Sequence, residues 1–200
     1  MDILTDIGVV SDKVGAYQYL ALLRGINVGG NNVIRMNDLT ACFEEMGFAD
    51  VATYIQSGNI LFRTDEQDRA RLTDKIERVL SDTFHYNSRV VVITHKQLKS
   101  VVEGAPRQFG KDATRYRYDV IFLKEPLTAK TAMKSVSVRD GVDSAYEGKS
   151  VLYFSRLIAK AAQSRLPKII TLPVYQNMTI RNWNTTTTLL ALMDKKVAVK

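Results

Sequence analysis

Arginine, asparagine and glycine gather at three places in this chain: Arg24-Gly25-Ile26-Asn27-Val28-Gly29-Gly30, Gln56-Ser57-Gly58-Asn59 and Arg181-Asn182-Trp183-Asn184. Arg24 and Arg181 can each make bidentate, charge-assisted bonds to a phosphate or a carboxylate. Asn27, Asn31, Asn32, Asn182 and Asn184 carry donors and acceptors together, as recognition of a base or a sugar requires. Gly25, Gly29 and Gly30 permit positive φ and a close approach of backbone to a ligand. Successive amides in such turns form anion-binding nests. The chemistry these types support is capture of a small anionic or nucleotide-like ligand. Its candidate contacts are Arg24, Gly25, Asn27, Gly29, Gly30, Gln56, Ser57, Asn59, Arg181, Asn182 and Asn184. Each also has a local reading: asparagine bonds its own backbone in turns, Asn184 sits where a helix N-cap belongs, and Trp183 suits a core anchor.

No catalytic constellation stands beside these residues. His85 and His95 lack companion cysteines or carboxylates at metal-ligand spacing, so no metal site is expected. Cys42 beside Phe43 reads as a buried thiol rather than a nucleophile. Ser57 lies in a turn without a neighbouring histidine, which is not a nucleophile elbow. The glycine loop lacks the Lys-Ser/Thr ending of a P-loop and the GxGxxG spacing of a dinucleotide fold. No cofactor is assigned, and the residues propose no reaction.

The elements that must position the three motifs follow from periodicity. Residues 1–16 lack a pattern and are expected to form a flexible extension. Tyr17–Arg24 is a strand running into the glycine loop. Met36, Leu39, Phe43 and Met46 mark an amphipathic helix, with Asn37 as N-cap and Gly47 at its end. Asp50–Gln56 and Asn59–Arg63 form a hairpin around Ser57-Gly58. Leu72, Ile76, Val79 and Leu80 mark a second helix, and Arg89–Thr94 a fourth strand. That order, βαββαβ, is the ferredoxin-like unit. A short helix capped by Thr94 follows, then a Gly/Pro-bearing linker at 105–116.

The pattern then restarts. Tyr118–Leu123 is a strand, Thr128–Lys134 a helix, and Val142–Tyr146 with Ser150–Phe154 a hairpin. Ser164–Thr171 is expected to be helical, Asn177–Arg181 to be a strand, and Asn184 to cap a last helix. The fold class is therefore α+β, two tandem ferredoxin-like repeats (17–104 and 117–200) with a C-terminal helix. In such a unit the end of strand one and the hairpin turn are expected near opposite ends of the sheet, so the three motifs should form at most two clusters.

Charge and composition set the partners. The chain has 200 residues and a net charge of +7. Residues 1–86 hold 8 Lys and Arg against 13 Asp and Glu, whereas residues 149–200 hold 9 against 1. Such asymmetry suits polyanion binding or attraction between the halves. No apolar run reaches a membrane span of about 18 residues, the acidic N-terminus is unlike a secretory signal, and one cysteine makes no disulfide framework. A cytoplasmic location is expected.

The strings LLRGINVGG (22–30), YIQSGNILF (54–62) and TIRNWNT (179–185) resemble those of the domain of unknown function 1697 family, in the same order. The resemblance spans Tyr17 to Met193. It implies a bacterial cytoplasmic protein with two ferredoxin-like repeats and implicates all three motifs, without supplying an activity. The segment SRLPKIITLP departs from a proline-free helix found there in many relatives.

Two further readings compete with ligand capture. A nucleic-acid binder would use the basic second half and aromatics on the sheet, here Tyr17, Tyr19, Phe62, Tyr118, Phe122, Tyr153 and Phe154. The RNP1 string is absent, and two sheets packed face to face would bury those rings. A protein-interaction module would show an open edge or a large apolar patch.

Overall fold

The structure, a computed structural model, describes residues 15–30 and 32–195. Most of the expected N-terminal extension and Asn31 lie outside those residues. Gly15 and Ala16, the described end of the extension, are tied down: Arg63 Nε donates to the Gly15 carbonyl at 2.7 Å, and the Ala16 amide donates to Asp65 at 2.9 Å.

Two four-stranded antiparallel sheets and their helices make up the molecule. The first contains β1 (Tyr17–Leu23), β2 (Ala49–Tyr54), β3 (Asn59–Thr64) and β4 (Val90–Thr94) in the order β2-β3-β1-β4. The second contains β5 (Tyr116–Leu123), β6 (Asp143–Glu147), β7 (Val151–Leu157) and β8 (Met178–Asn182) in the order β6-β7-β5-β8. Helices α1 (Met36–Glu45), α2 (Arg69–Phe84), α3 (His95–Glu103), α4 (Ala129–Ser135), α5 (Leu166–Ile169) and α6 (Trp183–Asp194) complete it.

Three cores lie between these layers. Tyr19, Ala21 and Leu23 alternate on β1 with Leu20 and Leu22, and both sets are buried. The first set joins Phe62 beneath α1 and α2. The second faces Val120, Phe122, Val151 and Tyr153 of the other sheet, together with Leu98 of α3 and Leu189 of α6. Burial on both faces explains why β1 reads as a continuous apolar run rather than an alternating one. Ile121, Leu152 and Phe154 fill a third core with α4 and α5. Tyr19, Phe62, Phe122, Tyr153 and Phe154 are thereby all buried, so these five rings offer no base-stacking face.

Several local expectations are corrected. Asn37 does not cap α1; Arg35 holds the N-cap position without a side-chain bond. Asn182, not Asn184, caps α6: its Oδ1 accepts the Thr185 amide at 2.7 Å. Ser164–Thr171 forms only the four-residue α5, flanked by 3₁₀ turns at Ile158–Gln163 and Pro173–Asn177. Pro167 within it, Pro173 just beyond it and the β-branched run Ile169-Ile170-Thr171 deny that stretch a longer helix. The linker 105–116 carries Phe109, which is buried edge-on against Tyr118, Tyr153 and Trp183.

Candidate functional site

The three sequence motifs converge on one point. β1 and β3 are antiparallel with Leu22 opposite Asn59, so the end of β1 lies beside the β2–β3 turn. The expectation of opposite ends overlooked that antiparallel neighbours place one strand's end at the other's start. The Leu23 amide donates to the Gly58 carbonyl at 2.8 Å. Into this junction β8 sends Arg181. Its Nη2 donates to the carbonyls of Leu23, Ser57 and Gly58 at 2.7, 2.8 and 3.1 Å. Its Nη1 donates to Thr179 Oγ1 and the Ile180 carbonyl, and its Nε to Asn59 Oδ1.

All of Arg181's nitrogens are thus spent on protein oxygens, and the side chain is buried. Burial pushes its guanidinium down to about 10, well above neutral pH. Asn59 is equally committed, donating to the Tyr54 carbonyl and Ser57 Oγ. Arg181, Ser57 and Asn59 therefore form a clamp between the two sheets.

The glycine loop closes on itself. Asn27 donates from Nδ2 to the Ile34 and Gln56 carbonyls at 3.0 and 2.9 Å, and accepts the Ile34 amide at 2.8 Å. Asn32 donates to the Gly25 carbonyl at 2.9 Å. Asn27 and Asn32 take positive φ, as do Gly25, Gly29 and Gly30, which stand in open space at the surface. Arg24 stacks its guanidinium over Tyr175 at 5.4 Å, and its buried Nε has no partner among the described residues. Among the described residues the groove beside it has no room for a water molecule.

A cavity of about 330 Å³ opens instead beside Asn182, Trp183 and Asn184. Its origin is a capping event. β8 ends opposite Asp119 because Asn182 turns the chain into α6, so β5 residues Tyr116–Tyr118 pair only with β7. Arg117 and Arg156 face each other across β5 and β7, and Asp119 is two residues along. Arg156 Nη2 is 3.5 Å from Asp119 Oδ2, a loose ion pair. Both Asp119 Oδ2 and Arg156 Nε are buried without a hydrogen-bond partner among the described residues. Burial raises the Asp119 carboxyl, opposed by Arg156 and Arg117. Tyr116, Tyr118 and Trp183 supply aromatic walls.

Asp119, Arg117, Arg156 and Tyr116 were not among the sequence candidates. The available signal was one carboxylate inside the strand Tyr-Arg-Tyr-Asp-Val-Ile-Phe-Leu, where an apolar residue would otherwise pack.

A second cavity of about 330 Å³ lies between β4 and residues 124–128. Among its charged residues, Arg69 pairs with Glu125 at 2.8 Å and Lys124 with Glu77 at 2.7 Å. Cys42 is buried, and burial raises its thiol, so it is no thiolate nucleophile. His85 ends α2 in a left-handed conformation, and His95 Nε2 meets Asp194 at 2.6 Å.

A family model described as "Protein of unknown function (DUF1697)" matches residues 17–153. The chain belongs to the DUF1697 family. The match runs from β1 into β7, so Arg181 and the TIRNWNT string lie beyond it. Among solved structures, the conserved bacterial protein SP0830 from Streptococcus pneumoniae is similar, with a TM-score of 0.77 and 26% identity. The alignment covers 88% of this chain and 98% of that one, so the two-sheet architecture is shared nearly throughout. No curated protein matches this DUF1697 chain. No helix among its described residues is long and apolar enough to cross a membrane.

Proposed function

We propose that this protein is a small-ligand binder built from two ferredoxin-like repeats, 17–104 and 117–200, with the ligand held in the cavity beside Trp183. The repeated strand order, with the first strand of each half between the third and the fourth, supports the repeat reading. The observation that carries the ligand reading is the cavity of about 330 Å³ whose lining brings Arg117, Asp119 and Arg156 together with Asn182 and Asn184. A concave site where a few charged and polar side chains converge is the usual form of a small-molecule site.

Arg117 and Arg156 outweigh Asp119 by one charge, which favours a ligand with anionic character, such as a nucleotide. Asn184 and Tyr116 stand at the same opening. Of the sequence candidates, Asn182 and Asn184 belong to this site, whereas Arg181, Ser57 and Asn59 hold the two sheets in place beneath it. The glycine loop with Arg24 supports the reading less, because Asn27 has no free polar group. A cytoplasmic setting belongs to the same proposal.

Thermal unfolding with nucleotides, sugar phosphates, simple anions and short RNA or DNA oligomers, at low and moderate salt, tests it. A ligand at about 100 times its dissociation constant stabilises by about 2.7 kcal/mol. A shift with one small molecule, lost in Arg156→Gln, supports the cavity. Stabilisation by oligomers alone, fading with salt, would replace this reading with nucleic-acid binding. No shift with any of them would overturn it.

A further inference from the structure

We infer that the open edge of β4 is a second binding site, apart from the cavity beside Trp183, and that it takes a short extended stretch of a partner polypeptide as an added strand. β4 is an edge strand, paired only with β1. The Arg24 amide donates to the Arg89 carbonyl at 2.9 Å, and Leu22 and Leu20 stand opposite Val91 and Ile93. Bonded and non-bonded pairs alternate along antiparallel strands, so Val91 and Ile93 bond to β1 while Val90, Val92 and Thr94 turn their backbone outward. Two of those outward amides are closed by side chains, Val90 by Glu77 Oε1 at 2.8 Å and Thr94 by Gln97 Oε1 at 2.9 Å. The Val92 N–H and C=O and the Val90 C=O have no hydrogen-bond partner among the described residues.

These groups face a space rather than packed protein. Val90, Val91, Val92 and Ile93 all line the cavity of about 330 Å³ between β4 and residues 124–128. Their side chains alternate between two cores, Val90 and Val92 under α2, Val91 and Ile93 against the second sheet. What the four share with the cavity is therefore the edge of the strand. A bare edge of this kind is a template for another chain.

The order of the open groups selects the occupant. An acceptor, a donor and a second acceptor in line match the N–H and C=O of one residue and the N–H two residues on, in an extended backbone laid antiparallel. The closed amides of Val90 and Thr94 limit that pairing to about three residues. Charge agrees. Arg69 meets Glu125 and Lys124 meets Glu77, which leaves Lys149 and Asp74, one of each sign. A neutral backbone complements that balance, whereas a polyanion does not. The residue opposite Val92 shares its face, towards Thr73 and Asp74 of α2, as does the residue two further on; the one between them turns towards Val101 and Phe122. The stretch that fits is polar, apolar, polar.

The isotope-labelled full chain is titrated with the blocked peptide acetyl-Thr-Val-Thr-amide, reading the Val92 amide resonance and its exchange with solvent. The expected result is a saturable shift of that resonance with slower exchange. N-methylation of either threonine amide should weaken binding by about tenfold, the worth of one hydrogen bond. N-methylation of the valine amide, which points away from β4, should leave binding in place. Ala70 is exposed on α2 and lines the cavity, so Ala70→Trp should block the response. No shift at millimolar peptide, equal effects of the three methylations, or an undiminished response in Ala70→Trp overturns the proposal. So does a Val92 amide that exchanges as slowly as that of Val91 before any peptide is added, because the edge is then already satisfied.

Discussion

Arg181 Nη2 donates to the Leu23 carbonyl at 2.7 Å, so the eighth strand holds the end of the first across 158 residues of chain. Among the described residues no carboxylate pairs with this cation; its hydrogen-bond partners are carbonyls, a hydroxyl and an amide oxygen. Oriented carbonyl dipoles replace the water that Arg181 lost on burial. Those of Leu23 and Ser57 are strand-end and turn groups, and that of Gly58 also accepts the Leu23 amide. The clamp satisfies both sides at once.

Arg181→Met removes the donors and strands several buried acceptors. Hydrogen bonds to a charged group and unsatisfied buried acceptors are each worth a few kcal/mol, so a loss of about 3 kcal/mol or more is expected. Arg181→Lys keeps the charge but not the planar fork, and should fall between the two. Urea unfolding at neutral pH measures all three proteins. A loss below about 1 kcal/mol would show that the carbonyls find other donors.

Tyr153 gives a prediction at alkaline pH. Its hydroxyl donates to the Val101 carbonyl at 2.6 Å in the core between the sheets. Burial pushes its pKa up to about 12 from 10.0. Below the unfolded value both states keep the proton, and the contribution is fully present. As pH rises from 10 towards 12 the unfolded chain ionises first, so stability falls. Tyr153→Phe should cost about 1 kcal/mol at neutral pH and lose less stability than the native protein above pH 10. Parallel pH curves for the two proteins would refute the assignment.

Much of this architecture was legible in the sequence, for physical reasons. The β1 run, the Thr94 cap and the Ser57-Gly58 turn are local signals, and each acts locally in the fold. The motifs were legible as residues but not as roles. Arg181 reads like a ligand contact until β8 is placed against the β1–β3 junction, a relation spanning most of the chain. Asp119 and Arg156 were not picked out at all. Their importance depends on β8 stopping at Asn182, and that depends on which of two asparagines caps α6.

Asp119 provides the test at acid pH. Burial raises its carboxyl above the ordinary 3.8, Arg156 and Arg117 pulling the other way. For an acid whose folded pKa is raised, the unfolded chain releases the proton first as pH climbs. The contribution of Asp119 to stability is therefore fully present below 3.8 and declines as pH rises through its raised folded value. Asp119→Asn lacks this decline. The difference in urea midpoint between the two proteins should move in the variant's favour between acid and neutral pH. Movement in the opposite direction would show the Arg156 attraction outweighing burial.

Gly110 tests whether the cavity wall depends on the segment joining the halves. Its φ is +81°, and a Cβ there would stand 2.2 Å from Trp183 Nε1. Gly110→Ala thus meets two costs, a left-handed backbone of about 1–2 kcal/mol and a clash that only movement of the indole relieves. Trp183 also meets Phe109 edge-on at 5.2 Å and 89°, so displacing it disturbs the core behind the cavity as well as its mouth. Gly30→Ala is the control, since its φ is likewise positive at +80° but no atom of the described residues outside its chain neighbours lies within 4 Å of the added carbon. The backbone cost is then similar in both variants, and the excess destabilisation of Gly110→Ala isolates the clash. Tryptophan emission should shift in Gly110→Ala alone. If both variants lose equal stability with unchanged emission, Trp183 is not fixed by Gly110, and the cavity takes its shape from the Asn182 cap alone.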